Sequence, residues 1–268
     1  MAVCKVAKTH KWNPGEYNAN SSVQYDAAMA LLKKHKVAGT ESVLDVGCGD
    51  GKITAEISNQ VPLGKVHGID ISSDMISFAK EHFPAEKFLN LTFETEDAAQ
   101  LNYSEEFDIV FSSFVLQWIK DHKDVIERCL KCLKPKGFIL FSIPLGISKE
   151  LESALRIILK RKKWFKFFPK EYQETRLLSD LEWKRMIVDS QLEIIRFDKV
   201  NQKMSFHSLS LLEKYVTQWL PHIYVLPEKL RPQFKEELFN LYSELTPEEE
   251  QSGVCFSFPR LDIIGKKT

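Results

Sequence analysis

The stretch Val43-Leu44-Asp45-Val46-Gly47-Cys48-Gly49-Asp50-Gly51 holds the most chemically specific pattern in the chain: an apolar run that leads into three alternating glycines, with acids at its end and within the loop. Glycines at 47 and 49 let the backbone turn sharply and let a ligand approach with no Cβ in the way. A dinucleotide loop of the G-x-G-x-x-G type would need a third glycine at position 52, where this chain has Lys52, and would seat a pyrophosphate on the following helix. With Asp45 and Asp50 around it, this loop is a poor cradle for phosphate and a suitable one for a cation or an amine. That disfavours an NAD-dependent oxidoreductase.

Further acids follow later strands. Asp70, in Gly68-Ile69-Asp70-Ile71-Ser72, can accept hydrogen bonds from both hydroxyls of an adenosine ribose. Asp97, in Glu96-Asp97-Ala98-Ala99, can bond an adenine amino group while Ala98 offers its backbone. The run Ser112-Ser113-Phe114-Val115-Leu116-Gln117-Trp118 ends a fourth strand at the same edge. Taken singly, Asp70 can be a helix cap and Asp97 a turn residue. Their order after successive strands is what makes four strand ends converge on one ligand.

The elements that must position these residues are legible as alternation. Short apolar or β-branched runs at Val43–Val46, Val66–Ile71, Phe88–Phe93, Phe107–Phe111 and Phe138–Ile143 are bounded by Gly, Pro, Asp or Ser and read as buried strands. Helices are expected at Lys52–Asn59, Asp74–His82 and Lys123–Leu133, and another before the first strand, where Val23, Ala27, Ala30 and Leu31 share a face. This is an α/β, Rossmann-like pattern: right-handed crossovers, a mostly parallel sheet and helices on both faces. After Pro144 the alternation stops. Helices at Ser179–Asp189, Ser208–Trp219 and Glu228–Leu245, and strands at Leu192–Phe197 and Val254–Ile264, complete the reading, with one apolar stripe formed by Leu230, Phe234, Leu238, Leu241 and Leu245. Residues 1–149, 179–206 and 251–268 are assigned to the ligand-binding domain, and 150–178 with 207–250 to a helical cap over the sheet's carboxyl edge.

Bulk properties narrow the class. Hydrophobic residues at 44% and charged residues at 28% describe an ordinary globular chain, and 37 basic against 37 acidic side chains leave no net field to recruit a polyanion, which disfavours nucleic acid. No apolar run is long enough to span a bilayer and the N-terminal residues lack a signal-peptide core, so a cytoplasmic protein is expected. Five cysteines at irregular spacing make no disulfide framework, and the lone pair Cys129 and Cys132 sits in an expected helix with no partners for a metal.

Val43 to Gly51, Gly68 to Ser72, Glu96 to Ala98 and the Leu133-Lys134-Pro135-Lys136-Gly137 turn resemble the successive motifs of class I S-adenosylmethionine (SAM)-dependent methyltransferases. The resemblance implies a seven-stranded sheet with an antiparallel last strand and SAM as cofactor. It implies that Asp45 with Gly47, Cys48, Gly49 and Gly51 holds the methionine part, Asp70 the ribose, and Asp97 with Ala98 the adenine, with Ile71, Met75 and Ser113 also at the cofactor. Trp12-Asn13-Pro14 through Tyr17, Asn20 to Gln24, Gln117-Trp118 and Trp219-Leu220-Pro221 are similar to trans-aconitate and juvenile hormone acid methyltransferases, which esterify carboxylic acids; the Gln-Trp pair also occurs in the enzyme that methylates a malonyl group in biotin synthesis. By that similarity Gln24, Gln117 and Trp118 line the acceptor pocket and the acceptor is a small carboxylic acid. Arg156, Arg176 and Arg231 are candidate cap cations for the acid, and the basic residues at 160 to 163 either solvate a helix or meet an acidic carrier or membrane surface. An amine, phenol, RNA base or malonyl thioester acceptor, and a silent SAM-binding protein, remain alternatives.

Overall fold

The structure is a computed structural model, and it describes residues 12–168, 177–190, 192–246 and 253–268. In chain order its elements are α1 (Pro14–Asn20), α2 (Ser22–Leu32), β1 (Ser42–Val46), α3 (Lys52–Gln60), β2 (Lys65–Asp70), α4 (Ser73–His82), β3 (Leu91–Thr95), β4 (Phe107–Ser113), α5 (His122–Cys132), β5 (Leu133–Pro144), α6 (Lys149–Ile158), α7 (Lys162–Phe165), α8 (Asp180–Asp189), β6 (Leu192–Phe206), α9 (Leu209–Trp219), α10 (Pro221–Val225), α11 (Arg231–Leu245) and β7 (Val254–Lys267). Short 3-10 turns lie at Ala98–Gln100, Leu116–Trp118 and Glu228–Leu230.

The seven strands form one sheet in the order β3-β2-β1-β4-β5-β7-β6. Strands β1 to β5 pair in parallel, with Asp45 beside Gly68 on one side and Phe111 on the other. On β7 the direction reverses: Ser142 Oγ meets Asp262, Ile139 lies against Gly265, and Leu133 O accepts from Lys267, so numbers fall on β5 as they rise on β7. The sheet is thus mixed and mostly parallel, as the resemblance implied. No helix among the described residues is long and apolar enough to cross a membrane.

Two compact units divide the chain. The larger comprises Lys11–Ile143, Leu178–Val200 and Arg260–Thr268. Its core gathers Val43, Val66, Ile109, Phe111 and Leu140 from the strands with Leu31, Ala55, Ile76 and Ala79 from helices α2, α3 and α4. Parallel strands buried on both faces are apolar along their length, which is why β1 reads as a continuous run. At the far end of the sheet a polar network centres on buried Asp262 and reaches half-buried Lys34 and Asp198. Asp262 accepts from Lys34 Nζ at 2.8 Å, Arg260 Nη2 at 3.1 Å and Ser142 Oγ at 3.1 Å, while Asp198 takes a second bond from Lys34 at 3.0 Å. Burial alone would lower the pKa of Lys34; the two carboxylates outweigh it and raise it.

The smaller unit draws on Pro144–Leu177 and Asn201–Pro259. Helix α6 packs on α11, and the rings of Trp164 and Phe168 both close on Phe234, at 5.1 and 5.7 Å between centroids. Glu237 accepts hydrogen bonds from Arg161, Lys163 and Trp164 Nε1. The basic run at 160 to 163 therefore splits: 161 and 163 are pinned to a carboxylate rather than only solvated.

Several boundaries depart from expectation. The third strand starts at Leu91 instead of Phe88, because Lys87 and Phe88 donate to Pro84 O and Leu91 to Phe88 O, which closes a turn. Phe88 reads as strand because its ring is apolar, yet it meets Phe83 edge-on at 5.4 Å from that turn. Ala30 is only partly buried, its expected place on the inner face of α2 being taken by Ala28. Strand β6 runs on to Phe206, well past Phe197. Residues 228–230 form a 3-10 turn before α11, and Leu245, at the end of the stripe, is exposed. Cys129 and Cys132 are both buried on α5, and no metal cluster occurs among the described residues.

Removing one member of a buried charge network strands the others. Asp262→Ala leaves Lys34 and Arg260 without their shared partner and should destabilise the fold by about 3 kcal/mol in chemical denaturation. A loss below about 1 kcal/mol would mean that the network is structurally idle.

Candidate functional site

The site is built where β1 ends. Gly47 N and Cys48 N both donate to Ile69 O at 2.8 Å, which ties the loop to β2 as the chain leaves the sheet. Gly47, Gly49 and Gly51 take φ of 78°, 54° and 80°, the left-handed region in which a side chain is strained. At Gly47 the requirement is also steric, since a Cβ there would drive into the Val115 side chain. At Gly49 the nearest atom, on the Tyr17 ring, is 3.7 Å away.

Three carboxylates surround this loop. Asp45 is 2% exposed and accepts from Thr54 Oγ1 at 2.7 Å. Asp50 is 3% exposed and accepts from Asn18 Nδ2 at 3.0 Å and Lys52 N at 3.2 Å. Asp70 accepts from Gly49 N at 3.0 Å and Ser72 N at 2.9 Å, so the loop glycine and the ribose candidate hold each other in place. Burial pushes all three carboxyls above their ordinary range, Asp45 to about 7, with the charges of Asp70 and Asp50 adding to the effect there. Lys52 offsets part of the burial cost at Asp50; Asp45 and Asp70 have no such cation among the described residues, and a positively charged ligand would reverse their cost.

The remaining expected residues are distributed as follows. Glu96 N donates to Asp70 O at 3.0 Å, which brings Asp97 and Ala98 to the same edge. Asp97 also does what its turn reading required: its Oδ1 accepts from Ala99 N at 2.9 Å and caps the Ala98–Gln100 turn. Ile71 stands 47% exposed beside Asp70, an open apolar surface at a polar edge, whereas Met75 is 3% exposed in the core face of α4. Cys48 is buried, and burial pushes its thiol up and keeps it protonated and unreactive.

The turn after β4 is strained. Phe114 adopts φ 59°, unusual for a bulky residue, and is braced on both sides: its N donates to Ser142 O at 2.9 Å and its O accepts from Gln117 Nε2 at 2.8 Å. Ser113 Oγ, Gln117 Oε1 and Gln24 Oε1 are buried with no hydrogen-bond partner among the described residues. Each such atom costs roughly 1–3 kcal/mol unless something supplies its partner.

A cleft lined by Tyr17, Ser21 and Tyr25 on one side and Asp45, Asp50 and Ser113 on another lies over the loop. Trp12 meets Tyr17 and Trp118 edge-on, at 5.8 and 6.3 Å, so the segment from Trp12 into helix α1 reaches from the Gln-Trp pair to the glycine loop. Sequence reasoning missed Asn18 and Thr54, the side chains that hold Asp50 and Asp45. Only the segment Trp12 to Gln24, already singled out for its similarity, hinted at the former. Of the candidate cap cations, Arg156 pairs with Glu152 on an exposed helix face and Arg231 donates to Leu226 O; Arg176 lies outside the described residues.

The sheet order, the glycine loop after β1 and an acid after β2 define an α/β nucleoside-binding enzyme. Comparisons with known proteins sharpen this. Residues 43–137 match the family model described as a methyltransferase domain. A protein of Invertebrate iridescent virus 6 that bears the provisional name methyltransferase 235L is 30% identical over 231 residues, which cover 86% of this chain and 85% of that one. A trans-aconitate 2-methyltransferase of Shigella flexneri is 25% identical over 96% of this chain and 98% of its own. Among solved structures, phosphoethanolamine N-methyltransferase 2 of Haemonchus contortus in complex with SAM superposes with a TM-score of 0.61 at 17% identity, over 100% of this chain and 60% of that one. The chain belongs to the class I SAM-dependent methyltransferases, and SAM is its cofactor.

The two loop glycines separate steric from conformational demand. Gly47→Ala should destabilise the protein by about 3 kcal/mol or more, because strain and collision add, while Gly49→Ala should cost about 1 kcal/mol. Equal losses in denaturant titrations of the two variants would contradict the placement of Val115 against the loop.

Proposed function

We propose that this enzyme transfers the methyl group of SAM to an oxygen of a small carboxylic acid, forming a methyl ester. The observation that carries the acceptor class is the match to trans-aconitate 2-methyltransferase over nearly the whole of both chains, including segments outside the SAM-binding motifs.

The residues present suit the cofactor. In this reading the loop from Gly47 to Gly51 with Asp45 holds the methionine part, with Cys48 contributing its backbone, and Ser113 Oγ gains the partner it lacks. Asp70 takes the ribose, Asp97 and Ala98 the adenine, and exposed Ile71 offers a face for the base. Met75 acts from beneath, by packing. When bound, SAM supplies a methyl carbon already activated by its sulfonium. The protein's task is orientation and exclusion of water. A carboxylate is ionised at neutral pH and needs no general base, so the enzyme has only to hold it in line. Gln24, Gln117 and Trp118 do so here. Gln24 is 7% exposed, and a half-turn of its amide offers either a donor or an acceptor; the Gln117 amide nitrogen is committed to Phe114, which fixes the turn that carries Trp118.

A screen of small carboxylic acids against labelled SAM tests the reading. Methyl esters formed from one acid or a narrow group support it, and exclusive methylation of amines or phenols overturns it. With the best acid in hand, Gln117→Leu and Trp118→Ala should lower kcat/KM by about a hundredfold, or about 3 kcal/mol, with SAM affinity within about threefold of the parent. Equal losses in both quantities would remove these residues from the acceptor pocket.

The acids around the loop give a pH signature. Ionised Asp45 favours a sulfonium, so SAM affinity should fall as the pH drops through about 7, by up to roughly tenfold per unit where one proton is displaced. Without ligand the sign is opposite: a carboxyl whose pKa is raised on folding makes the folded state hold a proton that the unfolded chain releases, so this contribution to stability declines as pH rises from about 4 to about 7. Calorimetry at pH 6 and pH 8 should show a shallower dependence for S-adenosylhomocysteine, whose sulfur is neutral. Identical slopes for the two ligands would separate these carboxylates from the sulfonium.

A further inference from the structure

From Ser153 to Lys170 the chain contains seven basic residues and no acidic one, in a protein whose basic and acidic side chains balance overall at 37 each. The same stretch holds Trp164, Phe165, Phe167 and Phe168. Methyl transfer, as derived above, uses none of them. In the structure the aromatic residues divide by role. Trp164 and Phe168 are buried, at 0% and 1% exposure, and clamp Phe234. This anchors α7, with Trp164 Nε1, Arg161 and Lys163 all held on Glu237. Phe165, the next residue, is 54% exposed, and Ile157 on α6 is 42% exposed. Neither Lys160 nor Lys162 has an ion-pair partner among the described residues, and Phe165 has no ring partner there; Lys166 lies only against the Phe167 ring, at 5.1 Å.

An outward phenylalanine fixed by buried neighbours and flanked by unpaired lysines fits an interface that is apolar within and anionic at its rim. We infer that the α6–α7 corner of the smaller unit docks on an anionic lipid surface, with Phe165 and Ile157 entering the headgroup and acyl boundary while Lys160, Lys162 and Lys166 meet the lipid charges. A soluble polyanion would be served by the lysines alone and would leave Phe165 in water at a standing cost; lipid uses both chemistries. Arg161 and Lys163, both held on the single carboxylate of Glu237, act as the rigid base of the corner. The inference is independent of the acceptor class, and its failure would leave that reading untouched.

The full chain is sedimented with vesicles of phosphatidylcholine alone, or with about 30% phosphatidylserine, at physiological salt. Binding is expected to the anionic vesicles only. Lys160→Gln with Lys162→Gln should weaken it by about 30-fold, taking about fivefold per basic residue. Phe165→Ser should weaken it by about tenfold or more, and that deficit should persist at low salt, where charge attraction is strongest. Calorimetry with SAM verifies that each variant remains folded and should give the parent's affinity. Absence of binding to anionic vesicles overturns the inference. So does a Phe165→Ser variant that binds like the parent, and so does heparin or RNA capturing parent and Phe165→Ser equally and more tightly than lipid does, either of which would identify a surface that reads charge alone.

Discussion

Holding carboxylates out of water beside a backbone loop is the constraint on which the rest of this structure depends. Asp45, Asp50 and Asp70 are each drawn into the protein at the carboxyl ends of β1 and β2, and burial opposes the ionisation of every one. Such an arrangement persists only if the neighbourhood is over-determined. Thr54, Asn18 and the amides of Gly49, Lys52 and Ser72 supply that determination, and the glycines supply the turn that brings those amides round. The parallel pairing of β1 with β2 and β4 then fixes the carboxylates relative to the turn at Ser113 to Trp118. A cofactor with a permanent positive charge suits this setting as a phosphate does not.

Much of this was legible in the residues themselves, for physical reasons. A strand buried on both faces must be apolar throughout, and a loop that turns into a helix under a ligand must place glycine where φ is positive, so β1 and its loop announce themselves in nine residues. Where the chain's apolar residues serve turns, the same logic misleads: Phe88 is apolar to meet Phe83, and its turn delays β3. Long-range polar pairs were invisible. Nothing in the sequence links Asn18 to Asp50, Thr54 to Asp45 or Glu237 to Arg161, Lys163 and Trp164, because each depends on how elements distant in sequence are brought together. The sequence also offered two uses for Asp97 without choosing, and the structure shows its carboxylate bonded to the backbone of its own turn while it sits beside the Asp70 edge.

A second polar cluster, around Asp262, shows that burying charge in this protein is not confined to its chemistry. Lys34 at the end of α2, Arg260 and Asp262 on β7 and Asp198 on β6 join the helix that precedes the sheet to its last two strands. The two clusters differ in one respect. Around Asp262 the cations belong to the chain, whereas among the described residues Asp45 and Asp70 are held by neutral hydrogen-bond donors. That asymmetry distinguishes a structural clasp from a ligand site more directly than burial does.

Phe114 gives the molecule a position at which strain and stiffness are linked. Its left-handed backbone stores about 1–2 kcal/mol that glycine would release, while glycine would forfeit the half-buried ring and add freedom to the unfolded chain. The same change would free the backbone on which Ser113, Gln117 and Trp118 are mounted. An aromatic residue kept under tension at this bend gives those side chains a stiff mounting, and local backbone strain is what that stiffness costs.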